Sequence, residues 1–308
     1  MRSGFLVVDK APGTRSSRCV NIVKKIFSGK LRVGHGGTLD STASGVLVVL
    51  VGKATRVSQY VMMLPKVYSV TAKFGMRSDT DDHSGKILSV CGTGIPDDHA
   101  IDRALLSFSG LTDQVPPSIS AVKVNGKRAH AIAREGGEVF LEPRPVLVNS
   151  ISRVTPLTEG HEVVFRILCH RGTYIRSIVR DLGDKFGCGA LVVKLQRESI
   201  GPFGLKDALP SPKLEDAEPV VVEDMIIPLT EIGKAYTTYQ AAGNTGEMIF
   251  SGKPVPLKEL RRTSWGSCFG SGYIMITGEH FVSFAHILNE GKGLFARPVT
   301  TIPGRELV

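Results

Sequence analysis

Cysteine is scarce in this chain, and what there is does not pair. Five cysteines stand at Cys19, Cys91, Cys169, Cys188 and Cys268, an odd number with no Cys-x-x-C spacing. That pattern excludes a disulfide framework and a zinc knuckle, and it fits a reducing, cytoplasmic setting. No apolar run approaches the ~20 residues that a membrane helix needs, so no membrane partner is expected. The N-terminus lacks the charged-then-apolar pattern of a signal peptide. Phe5-Leu6-Val7-Val8 reads instead as a first strand, ended by Asp9-Lys10-Ala11-Pro12-Gly13. The histidines show no ligand spacing. Cys169 and His170 are neighbours on an expected strand, so their side chains point to opposite faces and cannot share a metal. No repeat and no low-complexity segment is present. Acid is also in deficit: 29 Asp and Glu stand against 38 Lys and Arg, a net charge of +9. The excess points to a polyanionic partner, and nucleic acid is the commonest one.

What remains is a normal globular composition, 42% hydrophobic over 308 residues. That length suggests two domains. Residues about 17–27 read as a helix capped by Ser16 or Ser17, with Val20, Val23, Ile26 and Phe27 on one face. A second helix is expected at about 54–64, with Val57, Tyr60, Val61 and Leu64 inward. Over 67–74 the pattern alternates, which places Tyr68, Val70, Ala72 and Phe74 on one face of a strand. Helices are expected near 98–108 and 173–187, and strands near 145–154 and 162–169. The mixture predicts an α+β fold with a mixed, largely antiparallel central sheet and flanking helices. It does not fit a doubly wound fold. Residues 207–219 are rich in proline and charge and read as a surface connection. A small β-rich module with the only tryptophan, Trp265, follows. The expected division is 1–229 and 230–308.

One carboxylate stands out. In Gly34-His35-Gly36-Gly37-Thr38-Leu39-Asp40-Ser41-Thr42-Ala43-Ser44-Gly45, Asp40 sits among small residues. The run Val46–Val51 follows directly and reads as a strand buried on both faces. Asp40 is thus presented at the edge of a rigid element, where a large substrate can approach the backbone closely. Taken alone, the loop is equally compatible with a turn in which Asp40 caps a neighbouring amide.

This stretch resembles the signature G-H-x-G-x-L-D-P-x-A-x-G-x-L of the TruB family of tRNA pseudouridine synthases. Gly34, His35, Gly37, Leu39, Asp40, Ala43, Gly45 and Leu47 fall on it, with Ser41 where proline is usual. Three further segments carry the same resemblance. Lys66-Val67-Tyr68 is similar to the family's K-x-Y. Arg171 to Ile178, with Asp181-Leu182-Gly183 beyond it, is similar to G-T-Y-I-R. Gln114 to Ala129 is similar to an insertion that clamps the T stem-loop of tRNA, with Ile119 in place of a tyrosine and His130 where another aromatic is common.

The resemblance implies a pseudouridine synthase fold, an RNA-clamping insertion at about 112–140 and a C-terminal PUA-like module at 230–308. It implies Asp40 as catalytic nucleophile, Tyr68 stacked on the target base, and Arg176 as the cation that keeps Asp40 ionised, with Thr173 capping its helix. It further implies His35 in the space of the flipped base, Leu195 beneath that base, and Lys10, Arg56, Lys123, Lys127 and Arg128 toward RNA. Ala11 stands where proline is usual in D-K-P-x-G.

The implied activity is isomerisation of uridine to pseudouridine in the T loop of tRNA, at position 55. An isomerisation has no redox change and no group acquired, so no cofactor and no metal are expected. The partner is tRNA, without an obligatory protein partner, and a monomer is expected. Two other readings stay open: a non-catalytic RNA-binding or tRNA-folding protein, and a guide-RNA-dependent enzyme of the archaeal and eukaryotic branch. Other motifs fail on inspection. Gly45 to Lys53 lacks phosphate-loop spacing, with Ala54 after the lysine. Ser120-Ala121-Val122-Lys123 fits S-x-x-K but lacks that motif's partners.

Overall fold

Continuous apolar runs and alternating ones fold into two kinds of strand in this protein. The computed structural model describes residues 2–91, 93–120, 122–124, 126–129, 132, 137, 139–267, 272–291 and 293–304. The chain divides into two compact units, Met1–Pro65 with Glu198–Val308, and Lys66–Arg197.

The first unit opens with β1 (Gly4–Lys10), α1 (Ser16–Ile26), β2 (Val33–His35) and β3 (Ser44–Val51). β3 pairs antiparallel with both β1 and β2. Gly45 to Val51 is buried throughout, as a run covered on both faces requires. The parity of the residues sorts them between two cores. Phe5, Val7, Val48 and Leu50 pack with Tyr60, Val61 and Phe203. Leu6, Val8, Leu47 and Val49 pack with Cys19 and Val23 of α1 and with Leu214 and Val222. Each such buried side chain contributes about 1.5–3 kcal/mol, which anchors β3 beneath the loop that precedes it.

The second helix begins as a 3-10 turn at Gly52–Val57 and becomes α2 at Ser58–Met63. Val57, Tyr60, Val61 and Leu64 are all buried, so the expected inward face holds although the helix type changes. Residues 207–219 are more ordered than a surface connection. Leu209–Pro210 adds a parallel partner to β1, and Ser211–Leu214 forms a helical turn with Ser211 and Leu214 buried. Leu214 joins the α1 core, and that apolar anchor outweighs the flanking prolines and charges.

The C-terminal residues form a six-stranded sheet. Its order is Val255–Pro256, Leu294–Pro303, Phe281–Asn289, Tyr273–Gly278, Thr238–Gln240, Arg261–Ser264. The sheet is antiparallel except for one parallel pair, Thr238–Gln240 with Tyr273–Gly278. Compactness does not divide the chain at 229/230. Met275, Val282, Phe284 and Ile302 share a core with Phe5 and Tyr60. Tyr60 stacks on Phe284 with centroids 3.8 Å apart, and the Tyr236 hydroxyl donates to the Tyr60 carbonyl at 2.7 Å. The apolar face of this sheet needs a partner, and the N-terminal segment supplies one.

The second unit opens with β4 (Lys66–Phe74), antiparallel to Glu162–Cys169. That strand pairs antiparallel with Arg144–Arg153, which pairs antiparallel with Gly110–Gln114. The expected alternation is present, with Tyr68, Val70, Ala72 and Phe74 on the buried face. Helix Asp98–Leu105 is capped by Asp97, whose carboxylate accepts from Ala100 N at 2.7 Å. Helix Ile175–Lys185 carries Arg176. Among the described residues no helix is long and apolar enough to cross a membrane.

Candidate active site

The Asp40 loop is held by its neighbours in chain and in space. Lys10, at the end of β1, is 0% exposed. Its ammonium donates to the carbonyls of Ala11, Thr14, Ser41 and Ala43 at 2.5–3.3 Å. An ammonium has three N–H groups, so four acceptors crowd around it and the 10–14 and 41–43 backbones are drawn together. Gly13 N adds a bond to the Ser41 carbonyl at 2.7 Å. On the other side of Asp40, buried Ser16 grips Leu39 twice. Its hydroxyl donates to the Leu39 carbonyl at 2.9 Å and accepts from Leu39 N at 3.0 Å. Asp40 itself is half-buried.

Two sequence expectations change here. Ser16 does not cap α1. The N-cap is Arg15, with no side-chain bond, because the serine hydroxyl is committed to Leu39. Lys10, expected to face RNA phosphate, is closed off from solvent and consumed by carbonyls, so its place is inside the loop. The departure at Ala11 also has a use. Ala11 N donates to Ser211 Oγ at 2.9 Å, a bond that proline could not make.

His35 ends β2, half-buried, and its Nδ1 accepts from Gly37 N at 3.3 Å. That bond leaves the ring proton on Nε2 when the imidazole is neutral. Gly37 has φ +129°, a conformation reserved for glycine. Arg56 lies exposed on the 3-10 turn Gly52–Val57.

In the second unit, Tyr68 is buried on β4 opposite Ile167. Leu195 is half-buried on the strand Ala190–Ile200. Arg176 is 5% exposed, and its fork donates to the Thr80 carbonyl at 2.8 Å and the Ile119 carbonyl at 3.0 Å. The helix does not start on a Thr173 cap. Its N-cap is Tyr174. The Gln114 side-chain amide holds that residue from both sides, accepting from Tyr174 N at 2.8 Å and donating to Tyr174 O at 3.1 Å.

The same helix anchors the root of the expected clamp. Ser177 Oγ and Arg180 both donate to the Val115 carbonyl, at 2.9 and 2.8 Å. Arg180 also pairs with Asp181 at 2.8 Å and Asp81 at 3.2 Å. Burial pushes both carboxyls above their ordinary range, against the pull of Arg180.

Further along, Lys123–Val124 and Lys127–Arg128 form a two-stranded hairpin in which Lys127 is exposed. His130 lies outside the described residues. Cys169 is no nucleophile, since burial pushes its thiol up to about 11. Among the described residues no group of three or more His, Cys, Asp or Glu could hold a metal ion.

Comparison with known proteins decides what this arrangement belongs to. Residues 24–175 match the family model described as TruB family pseudouridylate synthase, N terminal domain. The chain is 37% identical to a tRNA pseudouridine synthase B of Anaplasma marginale, over 88% of this chain and 87% of that protein. It is 37% identical to the Thermotoga maritima protein of the same name, over 85% and 82%. The chain belongs to the TruB family of pseudouridylate synthases. Among solved structures, a chain of a Cbf5-Nop10-Gar1 complex superposes with TM-score 0.72 at 23% identity, covering 99% of this chain and 86% of that one. At that identity the likeness speaks for the fold alone.

Within this TruB family member, sequence reasoning missed Gln114, Ser16 and Arg180. Gln114 carried a faint signal, a polar residue directly before Val115-Pro116-Pro117, where two residues without amide protons leave the backbone short of donors. Ser16 carried a misleading one, because serine before a helix ordinarily caps it.

Proposed function

We propose that this protein isomerises uridine to pseudouridine in the T loop of tRNA, at position 55, with Asp40 as the nucleophile. The observation that carries the reading is the loop itself: a half-buried carboxylate on small residues, with Leu39 and Ser41 both pinned and β3 beneath. Pre-set geometry of this kind is what positioning catalysis requires. The family membership and the tRNA named in the relatives support the substrate.

In this reading the target base is flipped out of its loop, at a cost of a few kcal/mol. His35 takes the space it leaves, Tyr68 stacks on it and Leu195 supports it from below. Stacking contributes roughly 1–3 kcal/mol and tolerates any base. Arg176 serves in this reading as the cationic partner of the Asp40 carboxylate, since a carboxylate and not a neutral acid is the nucleophile. Asp40 attacks the sugar or the base, or triggers elimination at the sugar. The N–C glycosidic bond breaks, the uracil stays bound and turns, and a C–C bond forms at the same sugar carbon. Every atom is kept, so the reaction calls for no cofactor. Water must be kept out, because hydrolysis would leave an abasic site. Arg56, Lys123, Lys127 and Arg128 contact phosphates, which position RNA without reading sequence. The enzyme works alone, as a monomer in the cytoplasm.

The test is conversion of an unmodified tRNA transcript without added cofactor or metal, with pseudouridine mapped by position and Asp40→Asn alongside. Conversion at the T loop by the wild type, lost in a variant that still binds tRNA, is the expected result. Binding without conversion by either protein would favour the RNA-folding role.

A further inference from the structure

The stretch between Asp9 and Asp40 contains no carboxylate at all. Apart from buried Lys10 it carries Arg15, Arg18, Lys24, Lys25, Lys30 and Arg32, and each of these six is exposed. The fold explains why they face outward. α1 buries Ser16, Cys19 and Val23 and half-buries Ile22 and Ile26 against the same core, so its cations are left to solvent, and the turn after it places Lys30 and Arg32 just before β2. Solvated cations on a helix usually find acids at i+3 or i+4. Within this stretch no acid stands at those spacings, and among the described residues only Arg18 is paired, with Glu215, distant in sequence, at 2.7 Å.

The cations do not lie on a flat face. They line two adjoining concavities that share Lys24 and Gly29. One, of about 1160 Å³, runs along α1 past Arg15, Arg18 and Lys25. The other, of about 610 Å³, is lined by Lys30, Arg32, Thr55 and Ser58 and ends at Gly34 and His35, the start of the Asp40 loop. Thr55 already gives its hydroxyl proton to the Gly52 carbonyl at 2.8 Å, so the cations of the concave wall carry the fit to phosphate oxygens. α1 is 11 residues long. At ~1.5 Å per residue its track runs beside roughly five stacked nucleotides.

We propose that this cation-rich face, where the one lining acid, Glu215, is held by Arg18, is a backbone track for RNA, in which Lys24, Lys30 and Arg32 hold consecutive phosphates of the strand leading to His35. It is separate from the clamp hairpin in sequence and draws only on the first unit. The proposal rests on the RNA reading above and adds a second place where the RNA is gripped. Such a track adds affinity and salt dependence without choosing the base.

The experiment replaces Lys24, Lys30 and Arg32 together by glutamine in the full-length chain. A control chain carries Lys206→Gln, Lys253→Gln and Lys258→Gln, three exposed lysines that line neither concavity. Circular dichroism and thermal melting establish that both fold. Binding to unmodified tRNA transcript is then followed from low to high salt, with steady-state conversion at fixed salt. The track variant should raise KM by roughly tenfold or more with much less change in kcat. Its log-log salt slope should fall by about 2 to 3, while the control chain changes little. An unchanged slope and KM in the track variant would overturn the proposal, and so would an equal loss in the control. The reading beneath it is tested separately, since a wild-type protein that neither binds nor converts tRNA fails before any variant is compared.

Discussion

Lys10 and Arg176 are both buried cations, and they organise their surroundings in different ways. Lys10 lies in the first unit and gathers four carbonyls from segments close to it in the chain or paired with it across β1 and β3. Its ammonium is a compact point of charge, and the backbone wraps around it. Arg176 lies in the second unit and reaches two carbonyls 96 and 57 residues away in sequence. Its planar fork sets a fixed spacing between the segment at Thr80 and the root of the insertion at Ile119. A lysine closes a loop on itself, whereas an arginine ties together loops distant in sequence, here alongside a bond from Ser118 Oγ to the Asp79 carbonyl at 3.3 Å. Gln114, Ser177 and Arg180 reinforce the second pattern, since each bonds to backbone more than 59 residues away in sequence.

The largest test of this contrast is Lys10→Met. It keeps the stem and removes the charge, taking the ammonium from four carbonyls, of which that of Ala43 is fully buried. Loss of charged hydrogen bonds on this scale should cost about 3–5 kcal/mol, read as a drop in the urea midpoint. A loss below about 1 kcal/mol would mean that the loop does not depend on the ammonium.

Arg176→Lys keeps the charge and removes the fork, so it separates the two patterns directly. Stability should fall modestly while kcat/KM drops roughly 30-fold, about 2 kcal/mol at the transition state. Full activity in this variant would show that charge alone suffices.

Gln114→Ala removes both side-chain bonds at the helix start and should cost about 1–2 kcal/mol. Gln114→Glu keeps the acceptor for Tyr174 N but not the donor, and should recover part of the loss. Ala11→Pro restores the residue usual in the family and removes the donor to Ser211 Oγ. It should cost about 1 kcal/mol, through an unanswered hydroxyl. A gain would instead show that turn stiffness outweighs that bond.

The smallest effect is a pH dependence confined to the second unit. Burial holds the Asp81 carboxyl above its ordinary range, ahead of the opposing pull of Arg180. The unfolded chain therefore gives up this proton at lower pH than the native protein. Its contribution is complete below the unfolded value and fades as pH rises through the raised one. Asp81→Asn lacks that proton, so its stability relative to wild type should improve between about pH 3.5 and about pH 7. Urea unfolding at both values measures the change, and a constant difference would contradict the assignment.

Some of this protein was written in residue order and some was not. The run Val46–Val51 dictates a strand covered on both faces, because unbroken apolar residues have no side to offer water. The alternation over 67–74 dictates the face that carries Tyr68. The Asp40 loop is legible for the same reason, since small residues before a buried strand leave one carboxylate conspicuous. The acid-free stretch before it is likewise visible to anyone who counts charges.

Burial of Lys10 is not legible. Lysine is ordinarily a surface residue, and only the meeting of the 10–14 and 41–43 backbones gives its ammonium four partners. Ser16 looks like a helix cap until Leu39 arrives to claim its hydroxyl. Gln114 carries only the faint sign of standing before Val115-Pro116-Pro117, and its partner is not readable there, because Tyr174 lies 60 residues further along the chain. The order in 207–219 follows from Leu214 finding a core, not from its prolines and charges. Periodicity and composition report how each residue meets solvent and its near neighbours. Partners supplied by distant segments are chosen only when the chain closes on itself, and those partners decide where a buried cation, a hydroxyl or an amide goes to work.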